Sequence, residues 1–297
     1  MSIGNDIRHQ WQYGSAVMRL LLLNVGIFLL QSLGLFIAYV AGFRDAYLND
    51  IANYFYASTD LSELTRKPWT IFTYMFMHSP MDIFHILSNM LYLYFFGRIF
   101  SDFMQPKMAY PLYLVGGLVG LFIEVAVFNL VPNYQHAVGS LTVGASAAVM
   151  AIVLATATLV PDFTVHLIFI GPVRLKYIAA FVVIIDLLSI SAEENLGGHL
   201  AHLGGALTGY LYIRSYRRSG NWFSWWPQLE ALAARPFQRR KPKVAYVNPN
   251  ARPSVKKDET PDKQKQLDAI LDKIRASGYD SLSKQEKDFL FRISNEK

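Results

Sequence analysis

Ser146 lies in the run Gly144-Ala145-Ser146-Ala147, at the start of an apolar stretch that continues to about Val160. A hydroxyl flanked by the smallest side chains suits a nucleophile that a substrate backbone must approach closely. His202 follows in Ala201-His202-Leu203-Gly204-Gly205, again in apolar surroundings. A serine hydroxyl is a poor nucleophile unless a base takes its proton. A neutral imidazole can take that proton and later give it to a leaving amine. The chemistry such a pair offers is peptide hydrolysis inside a bilayer. Taken singly, each residue has an ordinary explanation. Small residues and serine let membrane helices pack closely, and a histidine can be buried only to hydrogen-bond.

The combination says more. Gly205 and Gly209 follow His202 as a small-xxx-small face, which lets their helix dock against the alanine-rich segment that carries Ser146. The same docking brings His202 towards Ser146. His85 and Asn89 are four apart and share a helix face. Both can donate hydrogen bonds, so that face, with the Ser146 N–H, could hold the oxyanion of a tetrahedral intermediate. Read alone, they are a polar packing pair between helices. His199 is a rival base three residues before His202, and His78 is assigned no chemistry beyond ordering its loop. No carboxylate is placed by sequence to orient His202, which favours a dyad. Glu124, inside an apolar segment, is the nearest candidate, and nothing points it at His202.

Other hydrolytic chemistries are disfavoured. The chain has no cysteine, hence no thiol nucleophile or Cys-ligated metal. No His-Glu-x-x-His motif is present for a zinc enzyme. Histidines 78, 85, 199 and 202 have no carboxylate or cysteine grouped with them in sequence, so no metal is expected. An aspartyl mechanism needs two intramembrane aspartates, and only Asp186 lies well inside an apolar segment, near its external, water-accessible end. A transporter would call for an inverted repeat or charged pathway residues, and neither is seen.

These residues need helices to position them. The chain has 297 residues, 53% hydrophobic and 17% charged, too apolar for a soluble domain of this length. Charges are sparse up to about Ile213 and dense afterwards. Six spans can be drawn, at about 17–42, 83–104, 109–131, 138–160, 176–192 and 199–215. About 20 residues cross a hydrocarbon core of roughly 30 Å, and the last two segments are the weakest by hydropathy. With six spans, Arg8, Arg19, Arg98, Lys107, Arg174, Lys176, Arg214, Arg217 and Arg218 all fall on one side, and Arg44, Arg66 and Lys67 are exceptions among the acidic links of the other. The positive-inside rule puts the first side, with both termini, in the cytoplasm. The first span reads as a retained signal anchor. The aromatic-rich link 43–82 is expected in the membrane interface. Segment 161–175 is too short to cross and is expected as a surface element.

Four regions follow: an N-terminal segment 1–16, a six-span domain 17–215, a basic, proline-rich linker 216–262, and a small helical domain 263–297. Trp222, Trp225 and Trp226 would open the linker as an interfacial anchor. In the last region Leu267, Ile270, Leu271 and Ile274 recur at helical spacing, and Gly278 suits a stop. Ser283 with Glu286 reads as a capping box for a second helix, with Phe289, Leu290 and Ile293 on its apolar side. The pair is too small for a rich core, so a protein partner is expected for it.

The chain resembles the rhomboid family of intramembrane serine proteases. Gly144 to Ala147 match its Gly-x-Ser-x motif. Ala201, His202, Gly205 and Gly209 match its Ala-His-x-x-Gly-x-x-x-Gly, and His85 and Asn89 its His-x-x-x-Asn. The resemblance covers about residues 15–215. It implies an all-α, polytopic six-helix bundle with a cytoplasmic C-terminal tail, and Ser146 and His202 as a catalytic dyad. It also implies no cofactor, single-span membrane proteins as substrates in a lipid bilayer, no nucleic-acid partner, and the fifth helix as a candidate gate. A bacterial-type member in the cell plasma membrane is expected. The tail resembles a small C-terminal domain of some bacterial rhomboids. The chain departs from the family pattern at Trp69-Thr70, where Trp-Arg is frequent, at Ala147 for glycine, and at Met150, where an aromatic often stacks on the histidine. The non-enzymatic alternative is a rhomboid-like protein that binds membrane helices without cutting them. Such proteins typically lack the serine or the histidine, and this chain keeps both.

Overall fold

The computed structural model describes residues 2–168, 170–190, 195–234 and 260–295. The chain forms two units, 1–235 and 236–297. The first opens with α1 (Ile3–Tyr13) and α2 (Ala16–Val40), the latter capped by Ser15, whose hydroxyl accepts the Met18 N–H at 3.2 Å. The aromatic-rich link folds into α3 (Arg44–Phe55), a two-residue strand β1 (Ala57–Ser58), and short helices α4 (Leu61–Arg66) and α5 (Thr70–Thr73). Then come α6 (Ile83–Phe103) and α7 (Ala109–Leu130). Strand β2 (Leu141–Thr142) leads into α8 (Ser146–Leu159), and β3 (Thr164–Leu167) with β4 (Gly171–Arg174) into α9 (Leu175–Ser189). Helices α10 (Leu196–Ser219) and α11 (Trp226–Ala234) complete the unit.

The architecture is all-α, with two short antiparallel ladders. β1 pairs with β2, placing Ala57 opposite Thr142, and β3 pairs with β4. Strands β3 and β4 thus form a surface hairpin before α9, where a surface element was expected. Among the described residues three helices are long and apolar enough to cross a membrane, namely Ala16–Val40, Ile83–Phe103 and Pro106–Leu130. α8 is apolar but has 14 residues, about 21 Å at 1.5 Å per residue.

The fourth span expected at 138–160 is therefore shorter than drawn. Gly139 and Gly144 take φ of +94° and +127°, a region that favours glycine and that no helix passes through. Thr59 fixes the non-helical stretch. Its hydroxyl donates to the Ala137 carbonyl at 3.1 Å and accepts the Gly139 N–H at 3.0 Å. Its own N–H donates to the Ser140 carbonyl at 3.0 Å. Hydropathy averages over this loop, because its residues are uncharged. The segment assigned to a linker from 216 is also partly helical. α10 runs on to Ser219, and α11 follows after Phe223, which is buried against Tyr212 with ring centroids 4.7 Å apart. Residues 235–259 of that linker lie outside the described residues.

α8 is the central element. Ten of its 14 residues are buried, and α6, α7 and α10 pack around it. The packing is possible because the contacts are made by small residues. A Cβ added at Gly205 would run into the Ala147 carbonyl, and one at Gly209 into the Ala151 carbonyl. Gly116 and Gly120 of α7 meet Ala151 and Ala147 from the other side. Without a hydrophobic drive between helices in lipid, such backbone approach supplies the van der Waals contact that holds a bundle. Gly205→Val is expected to lower stability by about 1–3 kcal/mol, because backbone cannot yield as a side-chain tip can. Equilibrium unfolding in micelles checks this, and an unchanged midpoint would contradict the seam.

The polar groups of the core are mostly paired. Asn24, fully buried, donates to the Leu20 carbonyl at 2.8 Å, and the Tyr113 hydroxyl donates to the Met75 carbonyl at 2.6 Å. The Tyr74 hydroxyl donates to the Gly117 carbonyl at 2.7 Å.

The second unit contains α12 (Thr260–Ser277) and α13 (Lys284–Asn295). Gly278, at φ +77°, ends the first. The Ser283 N–H donates to Glu286 at 2.7 Å and the Glu286 N–H to the Ser283 hydroxyl at 3.4 Å, a reciprocal capping box. Those bonds, with Lys273 at 3.0 Å, hold the Glu286 carboxyl below its usual range. Among the described residues of this unit Ile270 and Leu282 are the buried apolar ones.

Candidate active site

Ser146 is the first residue of α8. The N–H groups of a helix's first turn have no intrahelical acceptor and carry the positive end of its dipole. Ser146 thus sits where developing negative charge is favoured. The turn before it is tightly held. The Gly144 N–H donates to the Tyr74 carbonyl at 3.0 Å, and a Cβ at Gly144 would meet the His85 ring at 2.8 Å. That close approach and the positive φ both require glycine.

A cavity of about 890 Å³ opens over this turn, lined by Ser146, His85, Asn89, His202 and Met150. Phe181, Val182, Ile185 and Asp186 of α9 form one wall, and Ser140, Leu141 and Thr142 another. The cavity lies at the end of the bundle opposite Arg174, Lys176 and Arg217. Leu159, at the far end of α8, accepts Arg217 at 2.8 Å, and Arg174 and Lys176 pair with Asp162 at 3.2 and 2.7 Å near that same end. Among the described residues no hydrogen bond joins Ser146 to His202.

His85 and Asn89 occupy the first turns of α6. Asp82 caps that helix by accepting the His85 N–H at 3.0 Å. His78, assigned only loop ordering from sequence, is fully buried beside them. Its Nε2 lies 3.4 Å from Asn89 Nδ2, and its ring meets His85 edge-on with centroids 5.4 Å apart. Burial pushes His78 down to about 3, so the ring is neutral and its Nε2 can accept from Asn89. One Asn89 N–H is then anchored while the other is available to the cavity. His78 was missed because it precedes the helix, where no periodicity ties it to Asn89.

The larger surprise is a carboxylate. Asp186 on α9 is 4% exposed, and its Oδ1 lies 2.9 Å from His202 Nδ1 and 2.7 Å from His199 Nδ1. The expectation that no carboxylate orients His202 is corrected; Asp186 lies at the cavity end of α9, with its side chain almost wholly buried. Glu124 plays no such part. It is buried and accepts the Thr142 hydroxyl at 2.7 Å. Nothing in the spacing of α9 shows which of its faces meets α10, so this pairing had no sequence signal. Met150, buried at the cavity wall, stands where a ring was expected.

Comparison with known proteins adds the lineage. A family model for the rhomboid domain matches residues 65–219, more than half of the chain. A second, described only as a family of unknown function, matches residues 257–296. The chain is 36% identical over 152 residues to "RHOMBOID-like protein 12, mitochondrial" of Arabidopsis thaliana, covering 46% of this chain and 43% of that one. It is 26% identical over 161 residues to "Presenilin-associated rhomboid-like protein, mitochondrial" of Bos taurus, covering 54% and 40%. The Danio rerio "Presenilin-associated rhomboid-like protein A, mitochondrial" is 26% identical over 139 residues, covering 46% and 34%. The chain thus spans less than half the length of these relatives. No solved structure matches it. The plasma-membrane location expected from sequence is overturned by these relatives, which carry mitochondrial names. By the match over residues 65–219, the chain belongs to the rhomboid family, whose members are in general intramembrane serine proteases.

Proposed function

We propose that this protein is an intramembrane serine endopeptidase that cleaves single-span membrane proteins. The observation that carries the reading is the single cavity onto which Ser146, His85, Asn89 and His202 all open. Ser146 Oγ attacks the scissile carbonyl as His202 takes its proton. The tetrahedral oxyanion is held by the Ser146 N–H, Asn89 and His85. His202 then protonates the leaving amine, and a water repeats the sequence on the acyl-enzyme. Asp186 holds His202 with Nδ1 protonated, which leaves the Nε2 lone pair free to act as base. The polar Ser140–Thr142 wall is the route for that water. No cofactor takes part. The names of the relatives support a mitochondrial membrane as the compartment.

The test is reconstitution of the purified protein in liposomes with a single-span reporter, paired with fluorophosphonate labelling. Cleavage together with labelling that depends on Ser146 and slows in His202→Ala supports the mechanism. Undiminished labelling in His202→Ala would remove His202 as the base. His78→Ala, which frees Asn89, is expected to lower kcat by roughly 10- to 100-fold while the fold persists. An unchanged kcat would show that His78 does not position the oxyanion donor.

A further inference from the structure

Asp186, His199 and His202 do more than the proposed hydrolysis uses. A general base needs one orienting carboxylate oxygen. Here a second imidazole, His199, takes the same Oδ1 at 2.7 Å. It does not line the catalytic cavity. Asp186 Oδ2 is buried and has no hydrogen-bond partner among the described residues. The two histidines are three apart on α10, on one face, with rings nearly perpendicular at 86°. One atom from each of the three residues falls within 4.8 Å of the others.

The geometry points to a binding site for a zinc-class dication, with His199 Nδ1, His202 Nδ1 and the Asp186 carboxylate as ligands. Imidazole and carboxylate together suit this class, and three protein ligands with one open position are a common tetrahedral set. Ligands at about 2.1 Å from a tetrahedral ion lie about 3.4 Å apart. The oxygen must therefore back away from each nitrogen by well under 1 Å. Oδ2, otherwise unsatisfied in the interior, gains a cation to face.

Occupancy has a consequence for the base, which rests on the proposed protease reading. A metal takes the Nδ1 lone pair, so the ring proton must move from Nδ1 to Nε2. No proton is lost overall; the tautomer is inverted. Nε2–H cannot accept the Ser146 proton. The bound ion thus switches hydrolysis off without touching the serine, and its removal restores the active tautomer.

The experiment uses cobalt(II) as a spectroscopic probe on full-length Ser146→Ala in micelles, so that binding is read without activity. Visible ligand-field bands that zinc displaces are expected, and they should be lost when His199→Phe or His199→Asn is added. Absence of bands, or bands that survive both changes, would overturn the site. In reporter assays zinc at about 100 times its dissociation constant should leave about 1% of wild-type cleavage, reversed by a chelator. His199→Phe should cleave and resist zinc. Equal inhibition of that variant would place the zinc effect elsewhere and refute the switch. Bands without cleavage in any protein would support the site while defeating the protease reading.

Discussion

Ser146→Ala is expected to lower reporter cleavage by about 10⁴-fold or more, to the level of the uncatalysed background. The size of the effect follows from the lack of a substitute. Two other serines reach the cavity wall, and both hydroxyls are engaged. Ser88 donates to the His85 carbonyl at 2.9 Å, and Ser140 is bonded to Thr59 at 3.2 Å. No cysteine exists to replace the nucleophile. The substitution removes one oxygen from a half-buried position at a helix start, and alanine is a good helix former, so the fold should be untouched. Thermal unfolding equal to wild type, with fluorophosphonate labelling abolished, completes the expected picture. Cleavage within about tenfold of wild type would mean that the hydrolysis proceeds without a serine ester.

Asp186→Asn is expected to lower kcat by about 10²- to 10⁴-fold with little change in KM. A carboxylate only accepts hydrogen bonds, so both imidazoles that face Asp186 must donate to it. An asparagine at this place offers one carbonyl oxygen and one NH₂ to the same two rings. Whichever ring faces the NH₂ must turn its Nδ1 lone pair inward and keep its proton on Nε2. When that ring is His202, the base is lost. Asparagine has nearly the size and shape of aspartate, so the cavity wall that residue 186 shares with Phe181, Val182 and Ile185 keeps its form, hence the expected split between kcat and KM. A uniform rise in KM at constant kcat would instead assign Asp186 to substrate contact through α9. His199→Phe serves as the comparison, because it leaves Asp186 to His202 alone.

The parts of the site that could be read from sequence share a property. They lie within one helix, or on two helices whose small residues announce the contact. His85 and Asn89 are one turn apart. Gly205 and Gly209 mark where α10 meets α8, because a backbone contact demands glycine on at least one partner. Asp186 and His78 have no such marker. α9 is apolar on most of its surface, so no periodicity reveals which side faces inward, and a lone aspartate there reads as an accident of position. The loop 138–145 was lost for a related reason. Hydropathy cannot tell an apolar helix from an apolar turn, and only the glycine φ values and the ladder to β1 make the distinction. The six spans drawn from charge and hydropathy correspond to α2, α6, α7, α8, α9 and α10, with three of these meeting length and apolarity together.

The loose packing of α9 gives the Asp186 contact one more meaning. Its buried residues are Leu175, Ala179 and Asp186, while Phe181, Ile184 and Leu187 face outward. Leu175 and Ala179 lie towards the hairpin end; towards the cavity end Asp186 is a buried residue of α9 and bonds both histidines of α10. A sideways swing of that end wide enough to admit a polypeptide would draw Asp186 off both histidines. On the proposed protease reading, admission and a correctly poised imidazole would then exclude each other in time, as the two doors of an airlock do. On that reading bond cleavage would wait until the helix returns, and a chain that held the helix open would be retained but not cut.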